Sequence, residues 1–404
     1  MERMAKNDIC WIGLFISLFT IMRIIKFIPP ISPSLYYTIW GGVIFVLFSI
    51  KGNKNYKFNT KMVLFIVCCL LSILLNDIDI KYNVELRFIG FLLIVLCVGP
   101  VINASNLNSV KVYCFKYTSI ILVVVSIVSI VLYWINPNMM LTERGNLFGG
   151  ITIHSMQMGP IAGLSTSYMI YRLLTLPKGT KMYLKVLYCI LLILSCIACI
   201  LAGSRSALLA MLLAILAFLY LFYQDKKIIF LRIFLLSILF IISTSRYWWE
   251  YTETIRYKME LAEDKGDLFS SRASTWDSRI AEFYDNPIFG CGFATVIGDY
   301  SSRGENGIVE PGNGWLFVLS STGIISFILF LTIYLGLLYS LYRIGTHYSI
   351  LLITQLIYVG VHLNAEGYTL SSGIFLFYYL WNLLGCSYSY VCDNNRKKYR
   401  MINK

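Results

Sequence analysis

Seven arginines are the residues whose type and position point most directly to chemistry. They fall in segments that the hydropathy pattern, described below, places on the outer side of a membrane, with only two lysines beside them from residue 144 onward. A guanidinium group is planar and holds two oxygens of a phosphate or carboxylate through parallel hydrogen bonds. The set therefore predicts a site for a phosphorylated or pyrophosphorylated lipid, and salt bridges to outer acidic residues are the alternative for any single arginine. The seven are Arg144, Arg205, Arg246, Arg256, Arg272, Arg279 and Arg303.

Arg205 is the most informative of these arginines. It lies in the stretch Ala202-Gly203-Ser204-Arg205-Ser206-Ala207, a short break between two long apolar runs, so we expect it at the membrane surface or just within it. A charged side chain at that depth is costly and indicates function. The small residues around it are explained by close packing of two helices, but that packing does not explain an arginine.

A second pair of arginines is predicted to share one helix. The segment 270–284 begins with a serine suited to capping and ends before an Asn-Pro pair. Two arginines and two aromatic residues recur in it at three- and four-residue spacing, which places them on or near one helix face. These four residues are Arg272, Trp276, Arg279 and Phe283.

Glu310 directly precedes another apolar run and has two interpretations. An acidic side chain just before a helix interacts favourably with the helix dipole, by about 0.3–1 kcal/mol. A carboxylate at the membrane surface near several arginines would also suit a general base. Both interpretations stay open from the residues alone.

The composition indicates a membrane protein. The chain is 58% hydrophobic and 14% charged, whereas soluble domains carry about 25% charged residues. This difference excludes an ordinary cytosolic protein. The formal net charge of +13 fits either a nucleic-acid-binding protein or a membrane protein with basic residues on one side, and the placement of the charges decides between them.

Twelve apolar runs are candidate membrane spans, each of which needs about 20 residues. With the N-terminus inside, alternation places 21 basic and 4 acidic residues inside, against 13 basic and 17 acidic residues outside. This satisfies the positive-inside rule and excludes nucleic-acid binding. We predict an all-α polytopic membrane protein: one domain over residues 1–404, both termini cytoplasmic, a large outer loop at 245–312 and a basic tail at 393–404. The runs lie near 9–25, 35–50, 61–76, 86–102, 113–135, 154–174, 183–202, 206–223, 228–244, 313–341, 348–361 and 370–391.

The chain resembles the O-antigen polymerase and O-antigen ligase superfamily of bacterial polysaccharide assembly. The resemblance covers roughly residues 140–335 and is carried by three motifs in the family's order and on one side of the membrane. Arg144-Gly145 additionally fits the family's other outer arginine. The motifs are Gly203-Ser204-Arg205 with Ala207; Arg272…Trp276…Asn286-Pro287…Gly290-Cys291-Gly292, in which Arg279 and Gly290 are also spaced as in the family; and Asn313-x-Trp315-Leu316 with Gly323.

One departure from the family favours a polymerase over a ligase. The family's ligases usually have a histidine immediately before the asparagine of the third motif, where this chain has Gly312. This makes Glu310, the nearest titratable residue, the candidate base. Secondary candidates, for which capping or pairing is the alternative role, are His154, Asn313, His362 and Glu366.

The resemblance implies transfer of a glycan from undecaprenyl pyrophosphate to the terminal sugar hydroxyl of another lipid-linked repeat unit, at the outer face of the bacterial plasma membrane. Arg205, Arg272, Arg279 and Arg144 would hold the pyrophosphate, and Arg205 would also stabilise its charge as it leaves. Because pyrophosphate is a good leaving group and no His/Asp metal spacing occurs, we predict no metal and no cofactor. A chain-length regulator and other polysaccharide-assembly proteins are compatible partners.

Two other functions fit part of the pattern. A ligase-type transferase would pass the glycan to a different lipid or protein acceptor. A lipid-linked oligosaccharide flippase also has about twelve spans, but it would place its cations in a central cavity and would need no large outer loop. The near absence of charges in the middle of the predicted spans counts against the flippase.

Overall fold

The computed structural model describes residues 6–49, 56–142, 147–249, 252–253, 256, 259–260, 270–296, 309 and 311–402. Its architecture is almost entirely helical. The described residues contain one small sheet, in which β1 (Lys57–Phe58) pairs antiparallel with β2 (Ile102–Asn103) and Phe58 lies opposite Ile102.

The helices are numbered in chain order. Those of the first half are α1 (Lys6–Met22), α2 (Pro33–Ser49), α3 (Thr60–Leu74), α4 (Val84–Val98), α5 (Ser105–Ile135), the short α6 (Pro137–Met140) and α7 (Ser155–Leu174). Those of the second half are α8 (Met182–Leu201), α9 (Arg205–Phe222), α10 (Lys227–Ser243), the short α11 (Ser245–Trp248), α12 (Ser270–Asp285), α13 (Gly314–Ile344), α14 (His347–His362) and α15 (Phe375–Ile402).

Each of the twelve predicted apolar runs coincides with one of these helices, which confirms the all-α architecture. Four helices in the described part of the chain, namely α5, α8, α9 and α13, are long and apolar enough to cross a membrane. Helix α5 has 31 residues, so at 1.5 Å per residue it extends about 46 Å, beyond a hydrocarbon core of about 30 Å. The number of spans and their sidedness remain predictions.

The surface of α10 shows why these helices need a lipid environment. Six aliphatic side chains of this helix are at least half exposed, namely Ile228, Leu231, Leu235, Leu236, Leu239 and Ile242. Contiguous apolar surface of this kind is uncommon in soluble monomers and marks contact with a membrane or another protein.

The core lies around α15, which packs against α4, α5 and α13. Its side chains Tyr378, Tyr379 and Trp381 are almost completely buried. The helix continues to Ile402, so the described part of the predicted basic tail prolongs α15. Around this core, α9 packs against α7 and α14, and α12 packs against α13, which brings together the ends of these helices where the candidate site lies.

The second and third family-like motifs meet through backbone contacts. Helix α13 is interrupted at Gly323, whose φ of 81° is accessible to glycine but strained for other residues. There the amide of Ile324 donates to the carbonyl of Pro287 at 2.9 Å, and the amide of Cys291 donates to the carbonyl of Ser320 at 2.8 Å. The loop after α12 is therefore fixed directly to the kink in α13.

We expect Gly323→Ala to lower the free energy of unfolding by about 2–5 kcal/mol. A β-carbon at this position would overlap the backbone carbonyl of Ile288, and it would also be held at an unfavourable positive φ. The matched control is Gly336→Ala in the same helix, where a β-carbon meets no atom within 4 Å. Thermal unfolding of both purified variants in detergent checks this, and equal midpoints would contradict it.

Candidate functional site

A cavity of about 520 Å³ collects the ends of several helices into one site. It opens between the α8–α9 hairpin, the start of α7, helix α12 and the segment that follows α14. All of these parts belong to connections or helix ends that the sequence predicts on the outer side. The described lining residues are Ser155, Met156, Ala202, Gly203, Ser204, Arg205, Ser206, Leu209, Met259, Arg272, Trp276, Val361, Asn364, Ala365 and Glu366.

The hairpin places Arg205 at the wall of the cavity. Gly203 turns the chain with a φ of 62°, and the Ser204 hydroxyl accepts a hydrogen bond from the Ala207 amide at 3.4 Å, so α9 begins at Arg205. A helix N-terminus carries partial positive charge and unsatisfied amides, which attract anions. The guanidinium of Arg205 adds a full positive charge at the same helix end.

Arg272 and Glu366 form an ion pair in this cavity. The Arg272 Nη2 lies 2.7 Å from the Glu366 Oε1, and each side chain is about one-fifth exposed, at 21% and 22%. The two residues are 94 positions apart in the chain, so the fold alone brings them together. The pair gives the cavity a carboxylate within reach of a guanidinium group.

Trp276 adds an aromatic wall one helical turn after Arg272. Its indole Nε1 donates to the carbonyl of Gly312 at 3.4 Å, which ties α12 to the segment before α13. Gly312 has a φ of 69°, and a β-carbon there would press against Thr275 of α12. The position where the family's ligases usually carry histidine is thus a close contact between two segments.

Arg279, which the sequence predicts as a pyrophosphate ligand beside Arg272, lies elsewhere. Its side chain is 4% exposed, and its Nη2 lies 2.7 Å from Oε1 of Glu282, one turn later on α12. Burial lowers the pKa of Arg279, while the neighbouring Glu282 carboxylate raises it. Arg279 is absent from the described lining of the cavity, so the structure does not bring the two arginines to one site.

Residues 190–331 match the sequence profile of the family described as O-antigen ligase. This match supports the resemblance of the region to the O-antigen polymerase and ligase superfamily. No curated protein matches the chain. The matched region 190–331, called the O-antigen ligase region below, supplies Arg205, Arg272 and Trp276 to the cavity, whereas Ser155 comes from the start of α7 and Glu366 from the segment after α14.

Among the secondary candidates, only Glu366 lines the cavity. Asn313 caps α13, accepting hydrogen bonds from the amides of Trp315 at 2.9 Å and Leu316 at 3.1 Å. His154 is exposed and occupies the N-cap position of α7, next to Ser155. These positions favour the capping interpretation for Asn313.

His362 lies at the end of α14 and is fully buried. Its Nδ1 is 3.2 Å from the Tyr368 hydroxyl, and its Nε2 has no hydrogen-bond partner among the described residues. The amide of Glu366 donates to the carbonyl of His362 at 3.1 Å. The backbone of His362 therefore stabilises the turn that carries Glu366, while its side chain is buried away from the cavity.

Two predicted site residues, Glu310 and Arg144, lie outside the described residues. The chain neighbour Pro311 is described, and it packs closely against Gly367, directly after Glu366. The polar lining residues Ser155 and Asn364 escaped the sequence analysis, because a single small polar residue at a helix end has no distinguishing pattern.

The O-antigen ligase region and its neighbours thus form a site with a defined chemical capacity. Two guanidinium groups and a helix N-terminus can hold a multiply charged anion. One carboxylate beside them can accept a proton. Apolar side chains such as Met156 and Leu209 give part of the wall a hydrocarbon character, as a lipid-linked ligand requires.

Proposed function

We propose that the protein is a polysaccharide polymerase of the O-antigen polymerase and ligase superfamily. It would transfer a glycan chain from undecaprenyl pyrophosphate to the terminal sugar hydroxyl of another lipid-linked repeat unit at the outer face of the plasma membrane. The observation that carries this proposal is the single cavity shared by Arg205, Arg272 and Glu366. The O-antigen ligase match at residues 190–331 supports the glycan-transfer chemistry.

The two cavity arginines would hold the pyrophosphate of the donor. Negative charge develops on the pyrophosphate as its bond to the sugar breaks, and preorganised cations stabilise that charge in the transition state. Arg205 acts from the start of α9 and Arg272 from the first turns of α12, so they approach the anion from two separate elements. Arg279, which the sequence also predicts for this role, is absent from the described cavity lining, and Arg144 lies outside the described residues.

Glu366 is the residue we propose as the base. The acceptor hydroxyl oxygen forms the new bond to the anomeric carbon, its proton passes to the Glu366 carboxylate, and the lipid pyrophosphate leaves with the electrons of the broken bond. In the structure Glu366 is held by Arg272. Pyrophosphate competes with Glu366 for this guanidinium, so donor binding would release the carboxylate to accept a proton.

A ligase is the second candidate, because the matching family is described as O-antigen ligase. Its chemistry at the donor would be the same, and it would differ only in using another lipid or a protein as acceptor. Gly312 occupies the position where the family's ligases usually carry a histidine, so this position has no titratable group, and a β-carbon there would press against Thr275. The next residue, Asn313, caps α13.

Reconstitution of the purified protein in liposomes with lipid-linked repeat units as the sole substrate tests the proposal. A polymerase gives a ladder of glycan lengths on the lipid. Absence of product until a different acceptor is added would instead identify a ligase, and release of repeat units to the opposite leaflet without new bonds would identify a flippase. Gel analysis of the labelled glycan distinguishes the first two outcomes, and a membrane-impermeant label detects the third.

A further inference from the structure

A second cavity, of about 420 Å³, lies among helix ends that are also predicted on the outer side. It is bounded by the starts of α2 and α4, the loop at 291–296, and the segment at 371–374 before α15. Its described lining contains two cations, Lys81 and Arg87, and no carboxylate, although Oδ2 of Asp79, outside this lining, lies 3.2 Å from Nζ of Lys81. The proposed polymerase function, as described above, does not involve this cavity.

Hydrogen bonds hold the polar groups of this cavity in place. The Arg87 Nη1 donates to the carbonyl of Ala294 at 2.7 Å, and the Tyr82 hydroxyl donates to the carbonyl of Val296 at 2.9 Å. On the opposite wall, the hydroxyls of Tyr37 and Ser372 lie 2.8 Å apart. These hydrogen bonds fix the walls of the cavity and connect the first third of the chain to the loop at 291–296, which belongs to the O-antigen ligase region.

Backbone strain is concentrated at the same place. In the described residues, the two non-glycine residues with positive φ are Asn83, at 45°, and Ala294, at 54°, and both line this cavity. Such conformations cost about 1–3 kcal/mol and persist where the surrounding structure enforces them, often at binding sites. The conformation of Ala294 accompanies the contact of its carbonyl with Arg87.

One segment of the chain, residues 364–374, contributes lining residues to both cavities. Asn364, Ala365 and Glu366 line the first, and Ser371 to Ile374 line the second. Ser371 is five positions after Glu366, so their α-carbons are at most about 18 Å apart even in a fully extended chain. The distance between a headgroup in the second cavity and the base in the first is therefore within the reach of an oligosaccharide.

We infer that the second cavity binds the pyrophosphate of the acceptor, the other lipid-linked repeat unit. This inference rests on the proposed polymerase function, in which donor and acceptor both carry a lipid pyrophosphate and each needs a cationic site at the same membrane face. Lys81, with a side chain 39% exposed, and Arg87 supply the charge, and the apolar side chains of Leu86 and Ile374 face the lipid part.

Equilibrium binding of radiolabelled farnesyl pyrophosphate to the full-length protein in detergent tests the inference. We expect two equivalents to bind the wild-type protein, one equivalent to bind Arg87→Gln, and one equivalent to bind the double variant Arg205→Gln/Arg272→Gln. Lys81→Gln, a change at a partly exposed side chain that leaves the core intact, should weaken the second equivalent at least several-fold. Lys26→Gln, which removes a charge on the same predicted face outside both cavities, is the matched control and should bind two.

The outcomes separate this inference from the proposed function. If Arg87→Gln and Lys81→Gln both keep two equivalents of unchanged affinity while the double variant loses one, the second site is wrong and the donor site stands. If the double variant also keeps two, the proposed function fails as well. Inorganic pyrophosphate should bind more weakly than the farnesyl compound, and equal affinity would overturn a lipid-linked ligand.

Discussion

Arg205→Ala is expected to abolish polymer formation while leaving the protein in the membrane. The variant removes the guanidinium at the start of α9, where the side chain lines the same cavity as Ser204 and Arg272. Loss of one preorganised donor to a developing anion typically lowers the rate by about 10²–10³-fold. Initial rates of chain growth in proteoliposomes, at matched amounts of purified protein, measure the effect.

The control for this prediction is Arg246→Ala. Arg246 is an exposed arginine on α11, on the same predicted side of the membrane and outside the described lining of both cavities. It should keep near wild-type rates. Arg205→Lys, which preserves the charge but not the planar pair of donors, should recover only part of the activity. Full-length polymer from Arg205→Ala would show that the cavity is not the donor site.

Glu366→Gln should give the second large effect, a decrease of about 10²–10⁴-fold in the rate of transfer. The amide cannot accept the proton of the attacking hydroxyl, although it has nearly the same shape and can still contact Arg272. Donor binding should therefore stay close to that of the wild-type protein, and the loss should appear in the rate at saturating substrate.

Glu310→Gln is the comparison that distinguishes the two candidate bases. Glu310 remains the base predicted from the sequence, and its neighbour Pro311 packs against Gly367, next to Glu366. We expect the smaller loss at Glu310, because Glu366 is the carboxylate placed in the described cavity. A larger loss for Glu310→Gln, with nearly normal rates for Glu366→Gln, would return the role of base to Glu310.

Helix positions were predictable because each depends on local sequence. Long apolar runs form helices whose backbone groups bond internally, and this requires no knowledge of distant residues. The small residues at 202–204 likewise predict a tight hairpin, which the structure contains between α8 and α9. The helix at 270–284 was predictable from its serine cap and the Asn-Pro stop, and α12 spans Ser270–Asp285.

The roles of the two arginines on α12 were not predictable in the same way. Arg272 and Arg279 are seven residues apart, so a helix places them on nearly the same face but about 10 Å apart along its axis. That separation is enough for Arg272 to reach the cavity while Arg279 becomes buried beside Glu282. Periodicity describes the direction of a side chain around a helix but not what lies opposite it at each turn.

The sequence by itself determined that the chain is apolar and helical, that its arginines are concentrated on one predicted side, and that Arg205 begins a helix after a tight turn. Tertiary structure decided which charges meet. Glu366 joins Arg272 across 94 residues, and Arg87 joins Ala294 across 207 residues, and neither contact leaves a local pattern in the chain. Local hydrogen bonding and hydropathy act over a few residues, whereas the packing of helix against helix brings distant residues together, and the cavities exist only where helix ends converge.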